Sequence, residues 1–89
     1  MVNAKLKTRS AGLLLTEGDW TLLAERLALS PREVQVIRNV FSGATDRRIA
    51  EQLEISEHTV RSHVASIHKK LGVRSRSELF INVLQTLRY

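Results

Sequence analysis

Apolar residues recur at intervals of three and four along most of this chain, which is the spacing of amphipathic helices. Five segments each begin at a Ser or Thr that can cap a helix, namely Thr16, Ser30, Thr45, Ser56 and Ser75. Gly43 and Gly72 supply left-handed exits after two of the predicted helices. Val and Ile do not alternate with polar residues over useful lengths, so we expect an all-α fold.

Each predicted helix has an apolar stripe that indicates its buried face. The expected core positions are Trp20, Leu23, Leu27, Val34, Ile37, Val40, Phe41, Ile49, Ala50, Leu53, Val60, Val64, Ile67, Leu71, Leu79, Phe80, Val83 and Leu87. Residues 1–15 are predicted to be a flexible tail, which leaves 16–89 as a single helical domain. Its first helix, 16–28, is expected to extend the core, with a partner surface as the alternative for Trp20.

Length and composition exclude several classes of protein. A chain of 89 residues buries too little surface to wall a deep substrate cleft with its own core. The absence of cysteine excludes a disulfide scaffold and a thiolate zinc site. The longest apolar run, Leu13 to Leu15, is far shorter than the roughly 18 residues of a membrane span, so no membrane partner is expected. The formal net charge of +5 favours a polyanionic partner.

The segment from Thr45 to Leu71 has the pattern of a helix-turn-helix. Its two helices are joined by a very short connection, Glu54-Ile55, and Ala50 is small enough to let the helix backbones cross closely. On a helical wheel of residues 57–71, the side opposite the apolar stripe carries short or basic residues: His58, Arg61, Ser62, Ala65 and Lys69. Such a face can enter a DNA groove and present hydrogen-bonding groups to base edges.

Positive charge is concentrated in the same segment. Between Glu57 and Arg76 the chain has five basic residues and one acidic residue, so most of the net charge lies within these twenty positions. An isolated basic helix is often only a solvated surface. Together with the short turn and the acid-poor outward face, however, the charge favours nucleic-acid binding.

Four motifs occur in order between Leu29 and Leu87. They are Leu29-Ser-Pro-Arg-Glu33, then Arg48-Ile-Ala-Glu-Gln-Leu53 after Gly43, then Ile55-Ser-Glu-His-Thr-Val-Arg-Ser-His63, and Lys69-Lys-Leu-Gly-Val73. Together they closely resemble the LuxR/NarL/GerE-type helix-turn-helix domain, which is assigned here to 29–89. The resemblance implies a four-helix DNA-binding domain of a cytoplasmic bacterial transcription regulator. Its third helix, 57–71 here, would read the major groove of double-stranded DNA.

The resemblance also implies roles for individual residues. Its base-reading positions fall on His58, Arg61, Ser62 and Ala65. Phosphate contacts are expected from Thr59, Lys69 and Lys70, and from the further basic residues Arg47, Arg48 and Arg74. Two residues depart from the family pattern. Ala65 replaces a longer polar side chain and can contact only a thymine methyl group, and Glu54 replaces the usual turn glycine.

The last helix is the expected homodimer surface, because relatives commonly dimerise through it. Ile81 and Leu84 lie on its more exposed side, and Arg88 is expected to join them. RNA polymerase is a further candidate partner. No cofactor is expected. His58, His63 and His68 point in different directions, so no metal site is expected, and no catalytic set of residues is found, so the chain is not expected to be an enzyme.

Two other functions remain open at this point. A promoter-recognition domain of sigma-factor type shares the helix-turn-helix pattern, but it would need core RNA polymerase to bind a promoter. A protein-binding module that sequesters a related regulator by heterodimerising would use the apolar helices. It would bind a partner protein tightly and would bind no duplex DNA even at low salt.

Overall fold

The computed structural model describes residues 15–88, which form five helices and no strand. The helices are α1 (Glu17–Arg26), α2 (Pro31–Phe41), α3 (Asp46–Leu53), α4 (Glu57–Leu71) and α5 (Arg76–Arg88). The expected all-α fold is therefore confirmed. Residues 1–14 of the predicted tail lie outside the described residues, as does Tyr89. Leu15, the last residue of the predicted tail, packs against the core. None of the five helices is long and apolar enough to cross a membrane.

The predicted cap residues stand directly before the five helices. The Thr16 hydroxyl accepts the Asp19 N–H at 3.0 Å, and the Asp19 carboxylate accepts the Thr16 N–H at 2.9 Å. Ser30 and Glu33 form the same reciprocal pair at the start of α2. The hydroxyls of Thr45, Ser56 and Ser75 each accept one N–H in the first turn of α3, α4 and α5.

Four of the helices end in the same kind of left-handed turn. The residues with positive φ are Ala28 (53°), Gly43 (80°), Glu54 (56°) and Gly72 (69°). After each of them, the next N–H donates to the carbonyl five residues back: Leu29 to Ala24, Ala44 to Asn39, Ile55 to Ala50, and Val73 to His68. The apolar residue that follows each turn packs into or against the core. The glycine exits are thus confirmed, whereas the turn at Ala28 was not expected.

The core lies where α2 meets α1, α3 and α4. Trp20 is buried, so it belongs to this core and not to a partner surface. Its ring meets the Phe41 ring edge-on at 5.9 Å, and Phe41 in turn meets Phe80 of α5 at 4.9 Å. Val36 is also completely buried, although the predicted stripe of α2 did not include it.

The added helix α1 is tied to the rest of the domain at both ends. Arg38 of α2 pairs with both carboxylate oxygens of Glu17, at 2.9 and 2.6 Å, and lies 5.5 Å from the centre of the Trp20 ring. At the other end, an Arg26 N–H donates to the Thr86 carbonyl of α5 at 2.6 Å. Helix α1 therefore packs against both α2 and α5.

Candidate nucleic-acid interface

Helices α3 and α4 form the predicted helix-turn-helix pair. Ala50 is buried at 6% exposure, and its carbonyl accepts the Ile55 N–H of the connecting turn at 3.0 Å. Glu54 takes the left-handed conformation, with φ 56° and ψ 46°, at the position where the resemblance predicted glycine. The turn therefore forms without glycine, at a conformational cost of about 1–2 kcal/mol.

Helix α4 buries one face and presents the opposite face to solvent. Val60 and Ile67 are buried in the core, whereas the four expected base-reading residues are all exposed: His58, Arg61, Ser62 and Ala65. Lys69 lies on the same exposed face. An Arg61 Nη1 lies 3.9 Å from a Glu57 carboxylate oxygen across one helical turn, with both side chains at least half exposed. A pair of this kind contributes little free energy, so the guanidinium can leave it for another acceptor.

Thr59 is half-buried beside the cap of α4. Its backbone N–H donates to the Ser56 hydroxyl at 3.0 Å, and the two hydroxyl oxygens are 2.9 Å apart. Since the Ser56 hydroxyl accepts the backbone N–H, its own proton can be donated to the Thr59 oxygen. The Thr59 hydroxyl proton then remains available for a further acceptor.

Lys69 and Lys70 differ sharply although they are adjacent. The Lys70 ammonium turns towards the connection between α1 and α2, where it donates to the Ala28 carbonyl and lies 3.0 Å from a Glu33 carboxylate oxygen. Its charge is therefore paired within the chain. Sequence reasoning missed this contact because Ala28 and Glu33 are about forty positions away along the chain.

The other basic residues of the site are also divided between solvent and ion pairs. Arg47, Arg48 and Arg74 are exposed, and Arg47 makes only a loose contact, at 3.9 Å, with Glu51. Arg76, which contributes to the charge of the predicted basic segment, instead pairs with Asp46 at 3.1 Å and joins the starts of α5 and α3. Two basic residues of the predicted basic segment, Lys70 and Arg76, are thus paired with acidic residues elsewhere in the chain.

The expected dimer residues lie on the outer side of α5. Ile81 and Leu84 are 54% and 53% exposed. Among residues 15–88, these two are the large hydrophobic residues that are exposed to solvent. Arg88 at the end of the helix is exposed as well. Helix α1 packs on α5 without covering Ile81 or Leu84.

The three histidines differ in their surroundings. His58 is exposed, whereas His63 and His68 are half-buried. Within the described part of the chain, no group of three or more His, Cys, Asp or Glu side chains is arranged to hold a metal ion.

Comparison with known proteins places most of the domain in one family. The model for "Bacterial regulatory proteins, luxR family" matches residues 27–83. The chain is 43% identical over 58 residues to "Probable HTH-type transcriptional regulator GfsR" of Streptomyces halstedii, a match covering 65% of this chain and 24% of that protein. It is 42% identical over 57 residues to "Transcriptional regulatory protein LnrK" of Bacillus subtilis (64% of this chain, 26% of that protein).

A shorter relative is covered more completely. The chain is 39% identical over 57 residues to "Spore germination protein GerE" of Bacillus subtilis, a match covering 64% of this chain and 77% of that protein. No solved structure matches the chain significantly. The matches support DNA-binding regulation of transcription and do not favour the sigma-factor or sequestration alternatives. The helix-turn-helix geometry and the family match agree, and the chain belongs to the luxR family of bacterial regulatory proteins.

Proposed function

We propose that this chain recognises a specific sequence of double-stranded DNA by placing α4 in the major groove, and that it regulates bacterial transcription in the cytoplasm. The observation that carries the proposal is the exposed face of α4, which has no acidic residue after its first turn, while the opposite face is buried. A helix with its side chains is about 10–12 Å wide, which suits a major groove about 12 Å wide.

The proposed base contacts follow from the chemistry of each side chain on this face. Arg61 would donate two hydrogen bonds to a guanine, and His58 and Ser62 would each make a single hydrogen bond to a base edge. Ala65 has no polar group and would pack against a thymine methyl. Arg61 would thus supply most of the discrimination between bases.

Phosphate contacts would orient α4 in the groove without reading sequence. We assign them to exposed cations, together with the hydroxyl proton of Thr59; the cations are Lys69, Arg47, Arg48 and Arg74. Each cation that replaces condensed counterions makes binding more sensitive to salt. Lys70 is left out of this set because its ammonium is already paired with Glu33.

The outer side of α5 is the proposed homodimer surface. Ile81 and Leu84 expose apolar area that a second copy would bury, with Arg88 beside them. A two-fold dimer would read two half-sites of a palindromic operator. RNA polymerase is the second proposed partner, because it is the enzyme whose activity a transcription regulator changes.

Selection of bound duplexes from a random DNA pool tests the proposal most directly. We expect enrichment of one motif, and an inverted repeat within it if two copies bind together. The selected duplex should then bind more tightly than a scrambled duplex of the same length at several salt concentrations. Equal affinity for both duplexes would contradict sequence-specific recognition.

A further inference from the structure

The last turn of α4 is fastened to the start of the domain by three residues, Lys70, Ala28 and Glu33, which we call the α4 clamp. The Lys70 ammonium donates to the Ala28 carbonyl, and it lies 3.0 Å from the Glu33 carboxylate. The same carboxylate accepts the Ser30 N–H at 2.8 Å in the cap of α2. One cation therefore joins the end of α4 to both the end of α1 and the beginning of α2.

The side chains of the clamp are less exposed to solvent than those of the Arg61–Glu57 ion pair on α4. The Glu33 side chain is 19% exposed and that of Lys70 is 36% exposed, compared with 50% and 58% for Glu57 and Arg61. The clamp also lies on a strained segment, because Ala28 is left-handed without being glycine. Its carbonyl follows the last turn of α1, and the Lys70 ammonium gives that carbonyl a charged donor.

The clamp and the helix-turn-helix turn hold α4 at opposite ends. At the first end, α4 follows the turn that Ile55 and Ala50 close. Arg61, Ser62 and Ala65 lie between the two attachments, about 6–12 Å from Glu57 at the first end of α4, at 1.5 Å per residue. If the clamp at the other end were released, a tilt of about 5° about the first end would move these side chains by about 0.5–1 Å, and productive contacts need positions held to about 0.5 Å.

We propose that Lys70 is a positioning residue that sets the angle of α4, and that its charge serves the clamp and not a DNA phosphate. The proposal rests on the DNA binding proposed above, and it assigns to Lys70 a role different from that of its neighbour Lys69. It also assigns a function to the end of α1, since the turn that follows this helix provides one of the two acceptors.

Salt dependence separates the two lysine roles. Lys70→Met should lower affinity for the selected duplex about fivefold or more. A fivefold loss corresponds to about 1 kcal/mol, the lower end of what one bidentate base contact contributes to discrimination. The slope of log affinity against log salt should be unchanged, because no phosphate contact is lost. In the matched control Lys69→Met the slope should become shallower by about 0.9. A similarly shallower slope in Lys70→Met would overturn the proposal.

For Glu33→Gln, the two possible roles of Lys70 predict opposite changes in DNA affinity. If Lys70 contacted phosphate, removing the competing carboxylate would strengthen DNA binding. The clamp requires the reverse, namely weaker binding to the selected duplex and little additional loss when Lys70→Met is combined with it. Binding is compared at a temperature where circular dichroism shows every variant folded. Stronger binding by Glu33→Gln would refute the clamp.

A distance measurement tests the clamp without DNA. Since the chain has no cysteine, the substitutions Thr21→Cys on α1 and Ser66→Cys on α4 provide the sole attachment sites for spin labels. Pulsed electron paramagnetic resonance should give one narrow distance distribution, broadened by Lys70→Met and by Glu33→Gln but not by Lys69→Met. An unchanged distribution would overturn the clamp. Broadening together with no binding of any duplex by the parent chain would retain the clamp and reject the proposed function.

Discussion

The Arg61 guanidinium stands on the exposed face of α4 with only a loose contact to Glu57, at 3.9 Å. Removing this side chain should therefore change the free energy of unfolding little but weaken binding to DNA substantially. We expect Arg61→Ala to weaken binding to the selected duplex by about 1–3 kcal/mol and to relax preference at one base pair. Competition with duplexes substituted at each position measures both effects. Equal losses on selected and random DNA would show that Arg61 contacts phosphate.

Ala28 offers a second prediction at the scale of one residue, because it occupies a conformation that glycine adopts without strain. We expect Ala28→Gly to raise the free energy of unfolding by about 1 kcal/mol. The same change at Ala65, an exposed position inside α4, should lower it by about 1 kcal/mol. Denaturant titration measures both variants. A loss of stability in Ala28→Gly would contradict the strain assigned to that turn.

Residue type alone predicts some of these positions and not others. Gly43 and Gly72 are left-handed as expected, because glycine after a helical stripe is a direct signal. Ala28 gives no such signal, since alanine favours the helix it terminates. Lys69 and Lys70 are chemically identical, and only the 100° rotation between them directs one to solvent and the other to Glu33.

At the scale of elements, the Glu33 carboxylate that caps α2 should make the free energy of unfolding depend on pH in the acidic range. The Ser30 N–H bond and the Lys70 ammonium lower the pKa of Glu33 below its ordinary value of 4.5. Its stabilising contribution is therefore complete above about pH 4.5 and is lost as the pH falls through the lower folded-state value. The Arg38 guanidinium lowers the pKa of Glu17 in the same direction.

We therefore expect the free energy of unfolding to decline below about pH 4.5. Glu33→Gln should have a lower stability at neutral pH and a weaker acid dependence, while retaining the part that comes from Glu17. Urea unfolding across the pH range provides the measurement. Parallel pH profiles for the parent chain and Glu33→Gln would exclude a contribution from this carboxylate.

The helices themselves were predictable because caps, stripes and exits agree along the chain. The omission of Val36 from the predicted stripe of α2 has a simple cause. On a helical wheel at 100° per residue, the predicted residues Val34, Ile37, Val40 and Phe41 span about 120°, and Val36 lies about 40° beyond Val40. Packing against α1, α3 and α4 together buries a wider arc than an isolated stripe indicates.

At the scale of the whole molecule, the exposed apolar residues of α5 predict self-association. We expect Leu84→Asp to weaken the proposed dimer at least about tenfold, because burying a leucine contributes about 1.5–3 kcal/mol. Gln85→Asp adds the same charge at the neighbouring exposed position and serves as the control. Sedimentation velocity, with and without DNA, gives the measurement. A parent chain that stays monomeric at high concentration, with one copy on each DNA site, would contradict the dimer.

The candidate site was predictable to the extent that it lies on one helix. The periodicity of α4 alone predicted that His58, Arg61, Ser62 and Ala65 would be exposed. Contacts between distant parts of the chain could not be predicted in this way, since nothing local distinguishes a paired cation from an exposed one. Arg76 and Lys70 both find their acceptors thirty or more positions away, in Asp46 and Glu33.

Trp20 is the single tryptophan of the chain, and its burial gives the molecule an optical probe of its own. Its indole touches Phe41 and lies under Arg38, so its emission reports whether α1 is docked, whereas far-ultraviolet circular dichroism averages all the helices. Coincident melting of the two signals would mean that α1 belongs to the cooperative folding unit. An earlier change in emission would show that α1 detaches before the other helices unfold.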